Sequence, residues 1–171
     1  MFLFVDEAQH FFVKYDQQFA ATARSSRAAT IYLTQNISNI LAAFGGSDAK
    51  ALTDSILGNM STKILCANSD PISNEWAASV GGRSKQLFLS AGQSRDSFDP
   101  LDMIGLGNGS QMNCNFSEQM EFDLDPRTFT TLRCGGPANG WEIDVIVFQN
   151  GRQFASSGKT WLPVVFRQDV N

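Results

Sequence analysis

The chain opens with an apolar run that ends on two adjacent carboxylates, Phe-Leu-Phe-Val-Asp-Glu over residues 2–7. Continuous apolar runs of this length are typical of strands that are buried on both faces of a parallel sheet. Such a strand would bury residues 2–5 and present Asp6 and Glu7 at its carboxyl end, which is the edge where open α/β sheets bind their ligands. The run therefore predicts an α/β fold with a pair of acids at its ligand-binding edge.

An apolar strand followed by Asp-Glu is also the form of the Walker B element of P-loop ATPases. In that interpretation Asp6 holds the water shell of Mg²⁺, and Glu7 polarises the water that attacks the γ-phosphate of ATP. The alternative is a buried strand followed by a polar turn without chemistry, because apolar runs bounded by acids are common. A Walker B strand normally follows a phosphate-binding loop, so we expect a chain that starts here to be the second half of an ATPase core.

The next thirty residues favour the Walker B interpretation. Residues 16–29 have the spacing of a helix, and the β-branched and aromatic residues 30–35 predict a second strand. A strand-helix-strand unit of this kind pairs its two strands in parallel. Gln35, at the end of the second strand, would then lie next to Asp6 and Glu7, where its amide can contact phosphate or the attacking water.

Two arginines, Arg24 and Arg27, lie at the end of the predicted helix over 16–29. Cations in the last turn of a helix are favoured by its dipole without any catalytic task. The alternative is an arginine finger that reaches the nucleotide of a neighbouring subunit, a role that suits a planar and permanently charged guanidinium. The sequence leaves both roles open.

Downstream of Gln35 the sequence alternates predicted helices and strands and then changes character. Helices are predicted over 37–44, from Ser47 or Asp48 to Gly58, and over 74–80, with strands over 62–67 and 86–89. Residues 84–117 are otherwise rich in Gly, Ser, Asn and Gln, without periodicity. The tail from residue 119 is β-like, with strands predicted over 141–149 and 160–167, a turn at Asn150-Gly151, and Pro163 marking an edge strand.

Several other patterns in the sequence indicate structural roles and not catalytic or metal-binding ones. Gly158-Lys159-Thr160 has the form of the end of a phosphate loop, but the glycine required five positions earlier is Gln153, and a strand follows instead of a helix. The three cysteines and the single histidine show no metal-ligand or disulfide spacing. We expect Cys66 to be buried in its strand and His10 to be a loop or packing residue.

Aromatic and basic residues of the tail leave two interpretations open. They are Trp141, Phe148, Phe154 and Trp161, with Arg152 and Arg167. Aromatic rings beside arginines can form a platform on which nucleic-acid bases stack. Packing in the core or at an interface of a β element is the favoured interpretation, although sequence alternation alone does not separate the two.

Bulk composition sets limits on the class of protein. The 171 residues fit one domain of ordinary size, and the net charge of −4 argues against a generally basic nucleic-acid coat. A local basic ring inside an assembly stays compatible with that charge. The apolar run at the start is too short for a signal peptide or a membrane span, and a reducing cytoplasm suits the scattered cysteines.

Strings of residues across nearly the whole chain resemble the TraG/TraD type of conjugative coupling protein. They lie over residues 4–11, 23–37, 57–63, 68–76, 129–133, 135–139, 158–160 and 166–168, and the resemblance is weakest over 90–118. It implies a hexameric, RecA-like ATPase at the inner membrane. Such a protein pumps single-stranded conjugative DNA with its attached relaxase into a type IV secretion channel. The segment around Walker B is also described in this family as a recognition region for the relaxosome protein TraM.

The resemblance implies a role for individual residues and a division of the chain. Asp6 and Glu7 would be the Walker B pair, Gln35 the sensor that contacts the nucleotide, and Arg27 the finger, with Arg24 as its competitor. The expected fold is the C-terminal half of a RecA-like P-loop core with parallel strands over 1–89. An irregular excursion over 90–118 and a β-rich C-terminal element over 119–171 would follow.

The sequence departs from the family in the parts that would precede Walker B. Family members have a membrane anchor, a phosphate-binding Walker A loop and a helical insertion, so we expect negligible ATP hydrolysis from these residues alone. A first alternative is a non-catalytic module that binds a TraM-like protein or a full-length homologue. A second is a pump for double-stranded DNA of the HerA and FtsK kind.

Overall fold

The computed structural model describes residues 1–23, 25, 27–93 and 112–168. It divides into two compact units, Met1–Gly82 with Leu124–Asn171, and Arg83–Asp123. Parallel and antiparallel strand pairs are both present, so the fold is mixed α/β. Residues 94–111, the larger part of the predicted excursion, lie outside the described residues, and the predicted division of the chain stays a prediction.

The first two strands pair in parallel, as their sequence order predicted. Strand β1 is Phe2–Val5 and strand β2 is Ala29–Tyr32, with Phe2 opposite Ala29 and Val5 opposite Tyr32. The connection consists of a 3₁₀ turn, Ala8–His10, and helix α1, Asp16–Thr22. Helix α1 ends earlier than predicted because the chain turns after Ala23, whose carbonyl accepts a hydrogen bond from the Ala28 N–H at 2.9 Å.

Strand β1 is covered on one face, so the prediction of burial on both faces was wrong. Phe2 and Phe4 are 77% and 68% exposed, whereas Leu3 and Val5 are half-buried. The covered face of the pair includes Tyr32, which lies opposite Val5. Phe12 belongs to the layer that covers this face, and its ring centroid lies 5.2 Å from that of Tyr32. Within the described residues β1 pairs with β2 alone. One face of the pair is therefore an exposed apolar surface.

Three helices follow, close to their predicted positions. Helix α2 is Ile37–Phe44, helix α3 is Ala49–Asn59 and helix α4 is Pro71–Gly81. Asn36 and Asp70 cap α2 and α4, each accepting a hydrogen bond from a backbone N–H three residues on. Helix α2 stops at Gly45, which has a φ of 56° that favours glycine.

The second sheet of this unit is antiparallel, which corrects the expectation of a continued parallel order. Strand β3, Thr62–Leu65, pairs with β6, Glu142–Gln149, and β6 pairs with β7, Trp161–Arg167. The order β3-β6-β7 leaves β7 at the edge, as Pro163 predicted. Strand β3, which was expected to belong to a parallel core over 1–89, therefore pairs with a strand of the tail instead.

The main apolar core lies between this sheet and its helices. Its buried members are Ala77, Leu124, Phe129, Ile146 and Phe148, and Trp161 packs against them. Phe129 belongs to the short helix α5, Thr128–Thr131. Phe148 is thus a core residue, and Trp161 packs against the core while staying partly exposed, which agrees with the favoured interpretation of packing for these two rings.

The unit Arg83–Asp123 is a long antiparallel ribbon. Strands β4, Arg83–Gln93, and β5, Met112–Phe122, pair along their full lengths, where the sequence had predicted a strand over 86–89 alone. A salt bridge of 2.9 Å joins Lys85 to Glu118. In the described residues of the chain, no helix has the length and apolar character needed to cross a membrane.

Candidate functional site

The carboxyl ends of β1 and β2 bring together the polar residues that the sequence singled out. Backbone hydrogen bonds continue the pairing beyond the strands, from the Leu33 N–H to the Val5 carbonyl at 2.9 Å and from the Ala8 N–H to the Leu33 carbonyl at 2.8 Å. Residues 34–35 are thereby held alongside residues 6–8. Parallel pairing is the physical reason why two segments distant in sequence meet at one edge.

Glu7 and Gln35 are in direct contact at this edge. The Gln35 Nε2 donates to the Glu7 carboxylate, at 3.0 Å from Oε1 and 3.3 Å from Oε2. Glu7 has a φ of 49° and a ψ of 45°, in the left-handed region that few non-glycine residues adopt. This backbone conformation turns the chain sharply from β1 into the 3₁₀ turn and is the kind of strain that clusters at functional sites.

Asp6 lies beside Glu7 and is exposed. Its Oδ1 accepts a hydrogen bond from the Glu7 N–H at 2.9 Å. One carboxylate with an accessible oxygen, completed by water and phosphate, is the usual protein contribution to a Mg²⁺ site. No cluster of three His, Cys, Asp or Glu side chains occurs among the described residues. The exposed Asp6 carboxylate has the chemistry that such a contribution requires.

Gln9 is part of the site although the sequence did not single it out. Its side chain is 4% exposed, its Nε2 donates to Glu7 Oε2, and its Oε1 accepts from the Thr34 hydroxyl at 2.8 Å. A polar residue two positions after the acid in a short turn has no periodicity that would have revealed its burial. Proximity to Glu7 in the string Asp-Glu-Ala-Gln was the only available signal.

Hydrogen bonding sets the charge of Glu7. The side-chain amide of Gln9, followed by that of Gln35, lowers the pKa of Glu7 below its ordinary value. Burial acts in the opposite direction and is outweighed. Glu7 is therefore ionised at neutral pH, the state in which a carboxylate can accept a hydrogen bond from a water and polarise it.

A polar network connects this edge with the starts of two helices. The Asn68 Nδ2 donates to the Gln35 carbonyl at 3.0 Å, and the Asn68 Oδ1 accepts from the Asp70 N–H at 2.8 Å. The Asn68 N–H donates to the Phe129 carbonyl at 3.0 Å. Asn68 thus links the end of β2 to the cap of α4 and to the core of the second sheet.

Asp70 continues the network as a clasp between α2 and α4. Its carboxylate accepts hydrogen bonds from the hydroxyls of Ser38, at 2.9 Å, and Ser73, at 2.6 Å. The Ser73 hydroxyl in turn accepts from the Ile37 N–H at 2.8 Å. Burial raises the pKa of Asp70, but the bonds from Ser73 and Ser38 outweigh it, so the pKa lies below its ordinary value. The carboxylate therefore holds two helix starts together as an anion.

A small cleft adjoins the network on the side of β3. It has a volume of about 120 Å³ and is lined in part by Gln35, Cys66, Asn68 and Phe129. Cys66 lies just beyond β3 and is exposed, which corrects its predicted burial inside the strand. The cleft gives solvent access to the residues that connect Gln35 with the second sheet.

Arg27 lies away from the other predicted site residues. It precedes β2, in a turn with a φ of 51°, and its carbonyl accepts a hydrogen bond from the Met1 amino group at 3.3 Å. Met1 marks the amino end of β1, so the length of a strand, roughly 13 Å, separates Arg27 from Glu7 in the same chain. The placement of Arg27 at a helix end was wrong, and Arg24 lies outside the described residues.

The family model for the TraM recognition site of TraD and TraG matches residues 1–115. The chain belongs to this family. A search of curated proteins gave no match. The matched region contains Asp6, Glu7, Gln35 and the network through Asp70, so the resemblance to TraG/TraD coupling proteins is confirmed. Membership indicates a role in conjugation through TraM recognition, with a TraM-like relaxosome protein as the partner.

Proposed function

We propose that the chain is the C-terminal, catalytic-edge half of a coupling-protein ATPase that moves DNA during conjugation. One observation carries the proposal. Across a parallel strand pair, an ionised Glu7 next to Asp6 is hydrogen-bonded to the amide of Gln35. A Walker B pair and a sensor amide on adjacent parallel strands is the arrangement that ATP hydrolysis at the edge of a RecA-like sheet needs.

Each residue has a distinct task in this mechanism. Asp6 would accept hydrogen bonds from the water shell of Mg²⁺, and Glu7 would accept one from the attacking water and orient that water toward the γ-phosphate. Gln35 can exchange its bond to Glu7 for one to a phosphate oxygen, because both are anionic acceptors of an amide N–H. Mg²⁺ supplies charge neutralisation at the phosphates when bound.

The phosphates of ATP need more hydrogen-bond donors than Gln35 provides, because Asp6 and Glu7 are acceptors. Gly158-Lys159-Thr160 leads into β7 rather than into a helix, so it lacks the helix N-terminus on which a phosphate loop relies. We propose that a Walker A segment supplies them, and that Arg27 acts on the nucleotide of a neighbouring subunit in a hexamer. Single-stranded DNA with its relaxase is the proposed cargo, and the type IV secretion channel at the inner membrane is its destination.

ATP hydrolysis by the chain, alone and combined with the phosphate-loop half of a TraG/TraD-type protein, tests the proposal. We expect negligible turnover from the chain alone and Mg²⁺-dependent turnover from the combination. Glu7→Gln should reduce kcat at least about 100-fold. Glu75→Gln is the matched control, because Glu75 is exposed on α4, and it should leave turnover unchanged. Turnover that survives Glu7→Gln would refute the assignment of Glu7.

A second candidate, a non-catalytic binding module, is favoured by the family match to a TraM recognition site. A calorimetric titration of the chain with a TraM-like relaxosome protein distinguishes the binding module from the ATPase. Saturable binding that is unchanged by Glu7→Gln, together with absent turnover in the combined ATPase, would support the module alone. Binding together with Glu7-dependent turnover would support both roles in one protein.

A further inference from the structure

Glu7 is held by two amides that differ in their surroundings. Gln9 is 4% exposed, and both ends of its amide are hydrogen-bonded, to Glu7 and to Thr34. Gln35 is exposed, and within the part of the chain that the structure describes its side-chain amide is hydrogen-bonded to Glu7 alone. A buried and doubly bonded amide has few alternatives, whereas an exposed amide can exchange its partner for water or another acceptor at little cost.

We propose that Gln9 is the positioning residue that holds the Glu7 carboxylate in place, and that Gln35 is the exchangeable partner. Gln9 keeps Glu7 aligned while Gln35 leaves it for a phosphate oxygen. This assignment rests on the proposed function, since alignment of Glu7 matters to a reaction only if Glu7 polarises the attacking water.

The orientation of the Gln9 amide follows from its two partners. The ionised Glu7 carboxylate can only accept a hydrogen bond, so the Gln9 NH₂ faces Glu7 and the Gln9 Oε1 accepts from the Thr34 hydroxyl at the other end. Glu7 has a flexible side chain whose rotamer freedom costs free energy to restrict. A buried amide that is already fixed at its far end restricts that freedom without becoming disordered itself.

The side-chain order of Glu7 tests this division of labour in the 171-residue chain without nucleotide. Carbon relaxation of the Glu7 Cγ methylene would be measured by NMR in the wild type, Gln9→Met, Gln35→Met and Gln18→Met. Gln18 is an exposed glutamine of α1 and provides the matched control. We expect a loss of order in Gln9→Met and wild-type order in the other two. Equal or greater loss in Gln35→Met would overturn the proposal.

Thr34→Val provides a second variant in case Gln9→Met fails to fold. Thr34 is exposed and valine has nearly the same shape, so the substitution removes the anchor of Gln9 and little else. Glu7 should then be less ordered than in Gln35→Met and more ordered than in Gln9→Met. Wild-type order of Glu7 in Thr34→Val would show that Gln9 is not fixed through this hydroxyl, which also overturns the proposal.

Kinetics of the combined ATPase distinguish positioning from mere stability. Gln9→Met should lower kcat roughly 10- to 100-fold, as the loss of residues that orient a catalytic group does, with KM for ATP unchanged. A rise in KM with wild-type kcat would contradict a positioning role. If the wild-type combination shows no turnover, the proposed function fails, whereas the NMR comparison still decides whether Gln9 holds Glu7.

Discussion

The antiparallel sheet β3-β6-β7 and the parallel pair β1–β2 are built from similar apolar residues but are covered differently. In the antiparallel sheet Val145 and Phe148 are each 1% exposed, whereas Phe2 and Phe4 of the parallel pair are mostly exposed. Antiparallel sheets are stable with one face in water, but parallel strands are normally buried on both faces. We therefore expect the antiparallel sheet to contribute most of the free energy of unfolding. The candidate site lies at the carboxyl ends of β1 and β2, the strand pair with an exposed apolar face.

Matched truncations of two phenylalanines test this comparison and have the largest expected effect. Phe148→Ala should reduce the free energy of unfolding by about 3–5 kcal/mol, because it opens a cavity in the core. Phe4→Ala should change it by less than about 1 kcal/mol, since a surface substitution loses little burial. Urea unfolding followed by tryptophan fluorescence measures both. Equal losses would show that β1 is as well packed as β6.

If Phe148→Ala does not fold, Phe148→Leu keeps the comparison measurable, because it removes less volume from the same site. Phe148→Leu should still reduce the free energy of unfolding by more than Phe4→Ala does. A larger loss from Phe4→Ala would mean that the face carrying Phe2 and Phe4 is buried in solution.

The clasp at Asp70 tests whether helices α2 and α4 unfold together with the antiparallel sheet. Asp70→Ala removes the cap of α4 and the bonds to Ser38 and Ser73, and should cost about 1–2 kcal/mol, in the upper range for a lost cap. Asp48→Ala is the matched control, because Asp48 precedes α3 without a side-chain bond to the helix. We expect a change below about 0.5 kcal/mol for the control.

Hydrogen exchange gives the same experiment a spatial readout. In Asp70→Ala, amides of α2 and α4 should lose protection while those of β6 keep it, because the clasp joins the helix starts and not the core strands. Uniform loss across β6 would indicate that these helices and the antiparallel sheet form a single cooperative unit.

The spacing of apolar residues and the order of neighbouring elements predicted the parts of the structure that form between residues close in sequence. Helix α2 has the bounds that its apolar spacing predicted, and the meeting of Gln35 with Glu7 followed from parallel order. The pairing of β3 with β6 joins residues more than eighty positions apart, which periodicity does not encode. Gln9, Asn68 and Asp70 were missed because a polar network is specified by geometry after folding and leaves no repeat in the sequence.

A pH-dependent ion group on β6 provides the smallest and most specific test. Arg133 donates to Asp144 through Nε at 2.8 Å and Nη2 at 2.6 Å, and it also donates to Glu142. These bonds, foremost those to Asp144, raise the pKa of Arg133 above its already high value. The guanidinium in turn lowers the pKa of Asp144. Asp144 and Glu142 belong to β6, so removal of the Arg133 guanidinium should destabilise the antiparallel sheet and leave β1–β2 unchanged.

Arg133→Met should therefore destabilise the chain slightly at neutral pH and less at acidic pH. A carboxylate whose folded pKa is lowered contributes stability above its unfolded pKa, about 3.9 for Asp, and loses it as the pH falls through the folded value. The difference in urea midpoint between wild type and Arg133→Met should thus be constant near pH 7 and shrink below about pH 4. Arg127→Met, at a mostly exposed pair 3.6 Å from Asp125, should show a smaller difference at every pH. A difference for Arg133→Met that grows on acidification would contradict the ion group as the source of the effect.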